Sequence, residues 1–284
     1  MAIPLTGKEL ALKIREDILK KAANFRVTPF LAALIFGDDD GALYYAKSKA
    51  RTAEKAGMGV DVLQFAGEMD SGAALEEIAG IADDPKYHGI ILEEPVPAGL
   101  DADALRAAIP PEMDVDGANP LNLGEIMSGE PIFYPATPLA IIELLKHFDY
   151  GFRGKHAVIV GRSRTVGKPL ANMLLRKGED GDATVTVCHS RTPDLAKFTR
   201  RADILIVAAG KPELIGAEHV SEGCVVVDVG TNVVNGKLLG DVDFEAVAPI
   251  AEAVTPVPGG VGPVTVACIL RNCLSAAEKR LDNT

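Results

Sequence analysis

The sequence predicts an α/β fold in two parts, each a parallel sheet covered by helices. Three observations carry this. The strand candidates are short, continuous apolar runs rather than alternating ones, as in strands buried on both faces. Helical patterns stand between them, which parallel connections require. A loop-rich segment, 110–138, then divides one such series from the next. At 284 residues the chain is long enough for two domains with cores of their own.

Each element has its own signal. Thr6-Gly-Lys-Glu9 has the capping-box pattern, and Leu10, Ile14 and Ile18 follow on one helical face. Pro29–Phe36 reads as a buried strand, and Ala42–Ala56 as a helix closed by Gly57 at C′. Val60–Phe65 is a strand, Ser71–Ala82 a helix, and Gly89–Glu93 a strand stopped by Pro95. Lys155–Gly161 opens the second half as a strand, followed by a turn and a helix from about Val166. Ala183–Cys188, Asp203–Ala208 and Cys224–Val229 supply further strands, and Pro263–Arg280 the last helix.

Composition excludes several functions. A net charge of −11 argues against a nucleic-acid surface, which needs concentrated Lys and Arg. No run approaches eighteen apolar residues, so no membrane span is expected. The N-terminus lacks the basic-then-apolar pattern of a signal peptide. The four cysteines form no C-x-x-C pair, and no His stands at metal-ligand spacing, so no metal site is expected. Buried reduced thiols and a cytoplasmic location follow.

The second half carries a nucleotide signature. Strand, Gly161-Arg-Ser-Arg-Thr-Val-Gly167, then helix is the setting of a dinucleotide fingerprint, with Ser163 in place of the middle glycine. It makes this half a Rossmann-like domain whose helix N-terminus faces a pyrophosphate. An NAD site normally carries an acid at the end of the next strand. Here that strand ends in His189-Ser190-Arg191, and Arg162 and Arg191 can both reach a 2′-phosphate. Arginine matches phosphate with two parallel donors, so the expected cofactor is NADP.

Other candidates are read on spacing. Thr255-Pro-Val-Pro-Gly-Gly-Val-Gly-Pro-Val-Thr265 holds three prolines and three glycines, which make a stiff backbone that a ligand can approach closely. Tyr45 and Lys49 stand four apart and share a helical face. Leu92-Glu93-Glu94 puts two acids at the C-terminal end of a buried strand, where open α/β sheets keep ligands. Asp114-Val-Asp116-Gly117 reads equally as a turn or a site.

In order along the chain, Tyr45-x-x-x-Lys49, Glu93-Glu94-Pro95-Val-Pro97, Asp114-Val-Asp116-Gly117, Thr137-Pro138, Gly161-x-Ser163-x-x-x-Gly167-x-Pro169, Asp228-Val-Gly230-x-Asn232 and Pro256–Pro263 give a pattern. It resembles the bifunctional methylenetetrahydrofolate dehydrogenase/methenyltetrahydrofolate cyclohydrolase family over nearly the whole length. The resemblance implies a catalytic folate-binding domain over 1–138, joined by a C-terminal helix over 264–284, and an NADP-binding domain over 139–263. It also implies a folate cleft between the domains, tetrahydrofolate derivatives as substrates, and a homodimer. By the same likeness Tyr45 lies against the folate rings, Lys49 handles protons and Asp116 hydrogen-bonds the pterin. Leu92, Glu93 and Glu94 belong to the substrate site, and Pro258, Gly259, Gly260, Val261 and Gly262 line the folate cleft. Gly161, Arg162, Ser163, Ser190, Arg191, Thr231 and Thr265 fall on the cofactor side.

The chain departs from this pattern at one telling place. The family carries Gln in a Q-x-P-x-P segment where this chain has Glu93, beside the lysine; Ala42 replaces a common Ser and Ala136 a common Cys. A carboxylate favours the ammonium form of a neighbouring lysine. The expected outcome is a working dehydrogenase with weak or absent cyclohydrolase. Lys49→Met is then expected to abolish any hydrolysis and leave the fold intact. Two rival readings are a dehydrogenase on another one-carbon carrier, such as a methanopterin, and a non-catalytic NADP-binding protein. Lys49, Asp116 and the full proline-glycine loop weigh against the second.

Overall fold

The computed structural model of the chain describes residues 2–282. Its elements begin with β1 (Ile3–Pro4), α1 (Lys8–Ala22), β2 (Phe30–Phe36), α2 (Asp40–Glu54), β3 (Gly59–Phe65) and α3 (Ser71–Asp83). There follow β4 (Gly89–Leu92), α4 (Ala102–Ala108), α5 (Pro120–Ser128), α6 (Ala136–His147), β5 (His156–Val160), α7 (Gly167–Leu175) and β6 (Thr184–Cys188). The chain continues through α8 (Ala196–Thr199), β7 (Ile204–Val207), β8 (Val225–Asp228), β9 (Asn232–Val234), β10 (Lys237–Leu239), α9 (Phe244–Val247), β11 (Ala253–Val254) and α10 (Val261–Asp282). Among the described residues no helix is long and apolar enough to cross a membrane.

The chain forms two compact units: Leu12–Ala136 with the residues from Val266, and Thr137–Thr265 with the residues up to Ala11. In the first unit β3, β2 and β4 form a parallel sheet in that order. Leu31–Phe36 are all buried, as a strand covered on both faces requires. On one side Ala32, Leu34 and Phe36 pack with Ile78, Ile90, Leu92 and Leu105. Gly89 permits a close approach: a Cβ there would lie 2.5 Å from Val115 and 3.2 Å from the Cys273 sulfur of α10.

In the second unit six parallel strands run β1-β11-β8-β7-β5-β6, with β9 and β10 as a separate antiparallel hairpin. The outer pair β1 and β11 and the hairpin escape a sequence reading because two or three residues carry no periodicity. The four strands expected here form within one residue of the expected bounds. All four cysteines are free and buried, as expected, and burial pushes the Cys224 and Cys273 thiols up to about 12.

Several expectations need correction. The segment 110–138 is not all loop, since it holds α5 and the start of α6. The Asn119 side chain accepts from Leu121 N at 2.7 Å and Pro120 occupies the first turn, a start signal that two turns of helix are too short to reinforce. The short helix α4 was also missed, and Asp101 caps it. Helix α2 begins two residues earlier than expected because Asp39 caps it, accepting from Ala42 N at 2.8 Å. Gly57 has the left-handed φ of 72°, but one residue beyond C′. Helix α10 starts at Val261, so Val261 and Gly262 are helical, and Pro263 falls in the first turn, where a missing N–H costs nothing.

The capping-box reading of Thr6 is also displaced. Helix α1 starts at Lys8 with Gly7 in the cap position, its carbonyl accepting from Ala11 N at 2.9 Å. Gly7 N donates to the Gly259 carbonyl at 2.9 Å, and a Cβ on Gly7 would lie 2.1 Å from the Gly260 oxygen. A backbone oxygen cannot turn aside as a side chain can. Gly7→Ala is therefore expected to lower stability by roughly 1–3 kcal/mol, read as a reduced urea midpoint at unchanged slope.

Candidate active site

The first unit gathers acids around one ammonium. Ala42, Ala46 and Ala53 seat α2 in the protein, with Lys49 along that buried stripe and Tyr45 at its edge. Tyr45 is 42% exposed, and its ring meets that of Tyr44 edge-on at 5.8 Å. Lys49 reaches the end of β4, where its Nζ donates to both Glu93 oxygens, at 2.7 and 2.5 Å. The two side chains are only 13% and 7% exposed. Ionic hydrogen bonds this short and this buried are strong and leave little freedom.

The neighbouring residues divide between scaffold and site. Leu92 turns its side chain into the core, so it holds the strand rather than offering a contact surface. Glu94 is largely exposed and pairs with Arg106, which also meets Asp103 at 3.0 Å. The Asp114–Gly117 segment is both turn and site. Asp114 is buried and accepts from Asn119 N at 2.7 Å and Asn122 Nδ2 at 3.0 Å, while Gly117 N closes onto the Asp114 carbonyl. Gly117 has φ 68°, and a Cβ would lie 2.6 Å from Pro135 N. This scaffold leaves the Asp116 side chain only partly covered. Its carboxyl is pushed up to about 7, first by burial and then by Asp114, with Lys49 pulling the other way. Near neutral pH it is thus available as both donor and acceptor.

The second unit holds the nucleotide signature. Strand β5 ends at Gly161 with φ 132°, where a Cβ would lie 2.1 Å from the Ala208 oxygen. A Cβ on Gly167 would lie 2.2 Å from the Gly161 oxygen, so the turn closes only with glycine at both places. Ser163 replaces the middle glycine for a reason the spacing does not reveal. Its hydroxyl accepts from Val166 N at 3.1 Å and Gly167 N at 3.4 Å, which ties down the turn leading into α7 and keeps its O–H as a donor.

At the end of β6, His189 N donates to Thr192 Oγ1 and Arg191 N to His189 Nδ1, forming a local turn with Ser190 and Arg191 exposed. Arg162 is also exposed, and no carboxylate stands at the strand end. These residues fit a dinucleotide with a 2′-phosphate: a tight glycine turn, a helix N-terminus and two arginines. Thr231 is exposed just after β8. In the proline-glycine loop Pro258 is exposed, Gly259 has φ 108°, Gly260 packs on Pro256 and Thr255, and Val261 is buried. Thr265 Oγ1 donates to the Val261 carbonyl at 3.4 Å.

Sequence reading missed Arg106, Asn119 and Asn122, and also the buried carboxylate Asp241, the partner of Asp228 from the Asp228-Val-Gly230-x-Asn232 pattern. Burial pushes the Asp228 carboxyl up to about 6. A polar residue between apolar neighbours, as in Gly240-Asp241-Val242, is the signal that marks Asp241.

Comparison with known proteins agrees with this geometry. The model of the tetrahydrofolate dehydrogenase/cyclohydrolase catalytic domain matches residues 5–116, and that of its NAD(P)-binding domain matches residues 135–281. A relative named bifunctional protein FolD, from Caldanaerobacter subterraneus, is 44% identical over 96% of this chain and 95% of its own length. The bifunctional FolD structure from Campylobacter jejuni has a TM-score of 0.93 at 40% identity, covering 99% of this chain and 100% of that one. The Trypanosoma brucei FolD structure, complexed with NADP cofactor and inhibitor, has a TM-score of 0.92 at 32% identity, covering 99% and 98%.

Proposed function

The chain belongs to the tetrahydrofolate dehydrogenase/cyclohydrolase family, and from that premise we propose that it oxidises 5,10-methylenetetrahydrofolate to the 5,10-methenyl form with NADP. The observation that carries this reading is the acid-rich end of β4, where Glu93 and Asp116 gather beside Lys49. Loss of hydride leaves a cation on the folate, and surrounding carboxylates favour a developing positive charge. NADP supplies the hydride acceptor. Gly161, Gly167 and the N-terminus of α7 would hold its phosphates, with Ser163, Ser190, Thr231 and Thr265 as further polar contacts. Tyr45 gives the folate rings an exposed aromatic face. Asp116 pairs with the pterin, whose edge presents donors and acceptors side by side. The remaining proline-glycine residues, Pro258 to Gly262, give a stiff backbone for the substrate.

The second family activity, hydrolysis to 10-formyltetrahydrofolate, needs a proton acceptor. Lys49 Nζ donates to both oxygens of Glu93, and an ammonium engaged in this way has no lone pair to offer. Hydrolysis is therefore slow in this chain, and the methenyl product leaves. We take the enzyme to work as a cytoplasmic homodimer without nucleic acid, which the family resemblance and the negative charge support.

Turnover of methylenetetrahydrofolate followed at the NADPH absorbance band tests the main reading, and absence of turnover with either cofactor overturns it. NADP preference over NAD is tested in the same assay. Arg162→Ala or Arg191→Ala is expected to lower kcat/KM for NADP by about tenfold or more, with NAD little changed. A wild type that prefers NAD would show the cofactor assignment to be wrong.

A further inference from the structure

In the second unit the chain leaves β5 to one side for β6 and returns to its other side for β7. The crevice at that switch point opens above the ends of β5 and β7. Gly161 forms one lip. The residues from Ala208 to Lys211 form the other, and the two meet, since the Ala208 oxygen occupies the space of a Gly161 Cβ. Residues 209–211 are exposed and irregular, with Gly210 at φ 62°. A loop of this kind is ordinarily loose.

Here it is pinned from below. Asp241 is 0% exposed. Its Oδ2 accepts from Ala209 N at 2.6 Å and Gly210 N at 2.9 Å, and its Oδ1 from Lys211 N at 2.8 Å and Asn232 Nδ2 at 2.9 Å. Among the described residues no cation pairs with it, so these N–H groups alone compensate a buried carboxylate. Asp241 is itself fixed: Asp228 Oδ1 accepts from Gly230 N and Asp241 N, and its Oδ2 from Val242 N, each at 2.9 Å. Gly230 leaves room for this, since a Cβ there would lie 2.3 Å from Asp241 Cγ. Through Asn232 the same carboxylate holds the turn that presents Thr231.

We propose that Asp241 is a positioning residue for the dinucleotide, its carboxylate shaping the lip of the crevice opposite the glycine turn. This rests on the NADP reading above. Asparagine tests it because it keeps the shape and loses one acceptor. Whichever way the amide turns, its NH2 faces two N–H donors, and the loop loses one or two of its three anchors.

The experiment compares wild type with Asp241→Asn by calorimetric titration of NADP, steady-state kinetics and amide hydrogen exchange. Expected are about a tenfold rise in the NADP dissociation constant and in KM for NADP, and faster exchange at 209–211. At saturating NADP, kcat and KM for methylenetetrahydrofolate should stay within about threefold. Gly210→Ala is the second variant, for the case that Asp241→Asn does not fold. It strains the left-handed residue and leaves the carboxylate alone, with no side chain in the way of its Cβ, and should give the same cofactor-specific change in smaller measure. NADP affinity within twofold of wild type in a folded variant overturns the proposal, as does a fall in kcat with cofactor affinity unchanged. Wild type that does not bind NADP overturns the functional reading instead, so the two failures are distinct.

Discussion

Lys49→Met is expected to cost about 3–5 kcal/mol of stability, the range for removing one partner of a buried ion pair. Sequence reading expects the opposite, an intact fold, because a lysine projecting from a helix into a cleft would be a proton carrier rather than a core residue. Burial changes the outcome. With side chains 13% and 7% exposed, the ammonium compensates a carboxylate that has almost no water around it. Methionine would fill the space and leave Glu93 unpaired. Lys49 also pulls the Asp116 carboxyl down, so its loss drives that group further toward its neutral form. The double variant Lys49→Met/Glu93→Gln removes both charges and should recover most of the loss. A four-way cycle of urea midpoints measures the coupling. A single-variant cost under about 1 kcal/mol at unchanged slope would place the pair among solvent-screened ones.

What was legible in the sequence follows from length and repetition. Strand β2 and helices α1 and α3 span enough residues for periodicity to declare itself; β2 and α3 form within a residue of the expected bounds, and α1 carries Leu10, Ile14 and Ile18 on its buried face. The strand β1, the hairpin and α4 do not, and long-range pairing or a single cap decides them. For the candidate site, Glu93 was readable as an acid at the end of a buried strand, whereas the roles expected of Lys49 and Asp116 came from the family resemblance and not from spacing. The coupling of Glu93 to Lys49 was expected only through the resemblance, since the contact by which Glu93 takes two of the three N–H donors of Lys49 depends on packing across 44 positions of chain. Asp241 was hidden for the same reason, since its donors at 209–211 come from a loop 30 to 32 residues away. Ser163 shows the converse. Its departure from the glycine pattern looks like a defect in the fingerprint and is a tie across the turn in the fold.

Glu93→Gln is expected to raise methenyl hydrolysis by about tenfold or more, with dehydrogenase turnover within a few-fold. A glutamine side chain offers Lys49 one neutral acceptor where Glu93 offers two charged ones. Removing that charge lowers the cost of a neutral amine, and a neutral amine has the lone pair that the hydrolysis step needs. Hydride transfer requires alignment and a tolerant field instead, which Asp116 continues to supply. The cation would be somewhat less favoured, which sets the few-fold allowance. Methenyltetrahydrofolate loss, followed by its own absorbance with cofactor omitted, isolates the hydrolysis from the oxidation. The competing mechanism has Glu93 itself accept the proton, with Lys49 holding it in place. It makes the opposite forecast, since glutamine cannot serve as a base. Fast hydrolysis in wild type that falls in Glu93→Gln therefore assigns the base to Glu93, and slow hydrolysis that rises identifies the buried ion pair as the brake on the second activity.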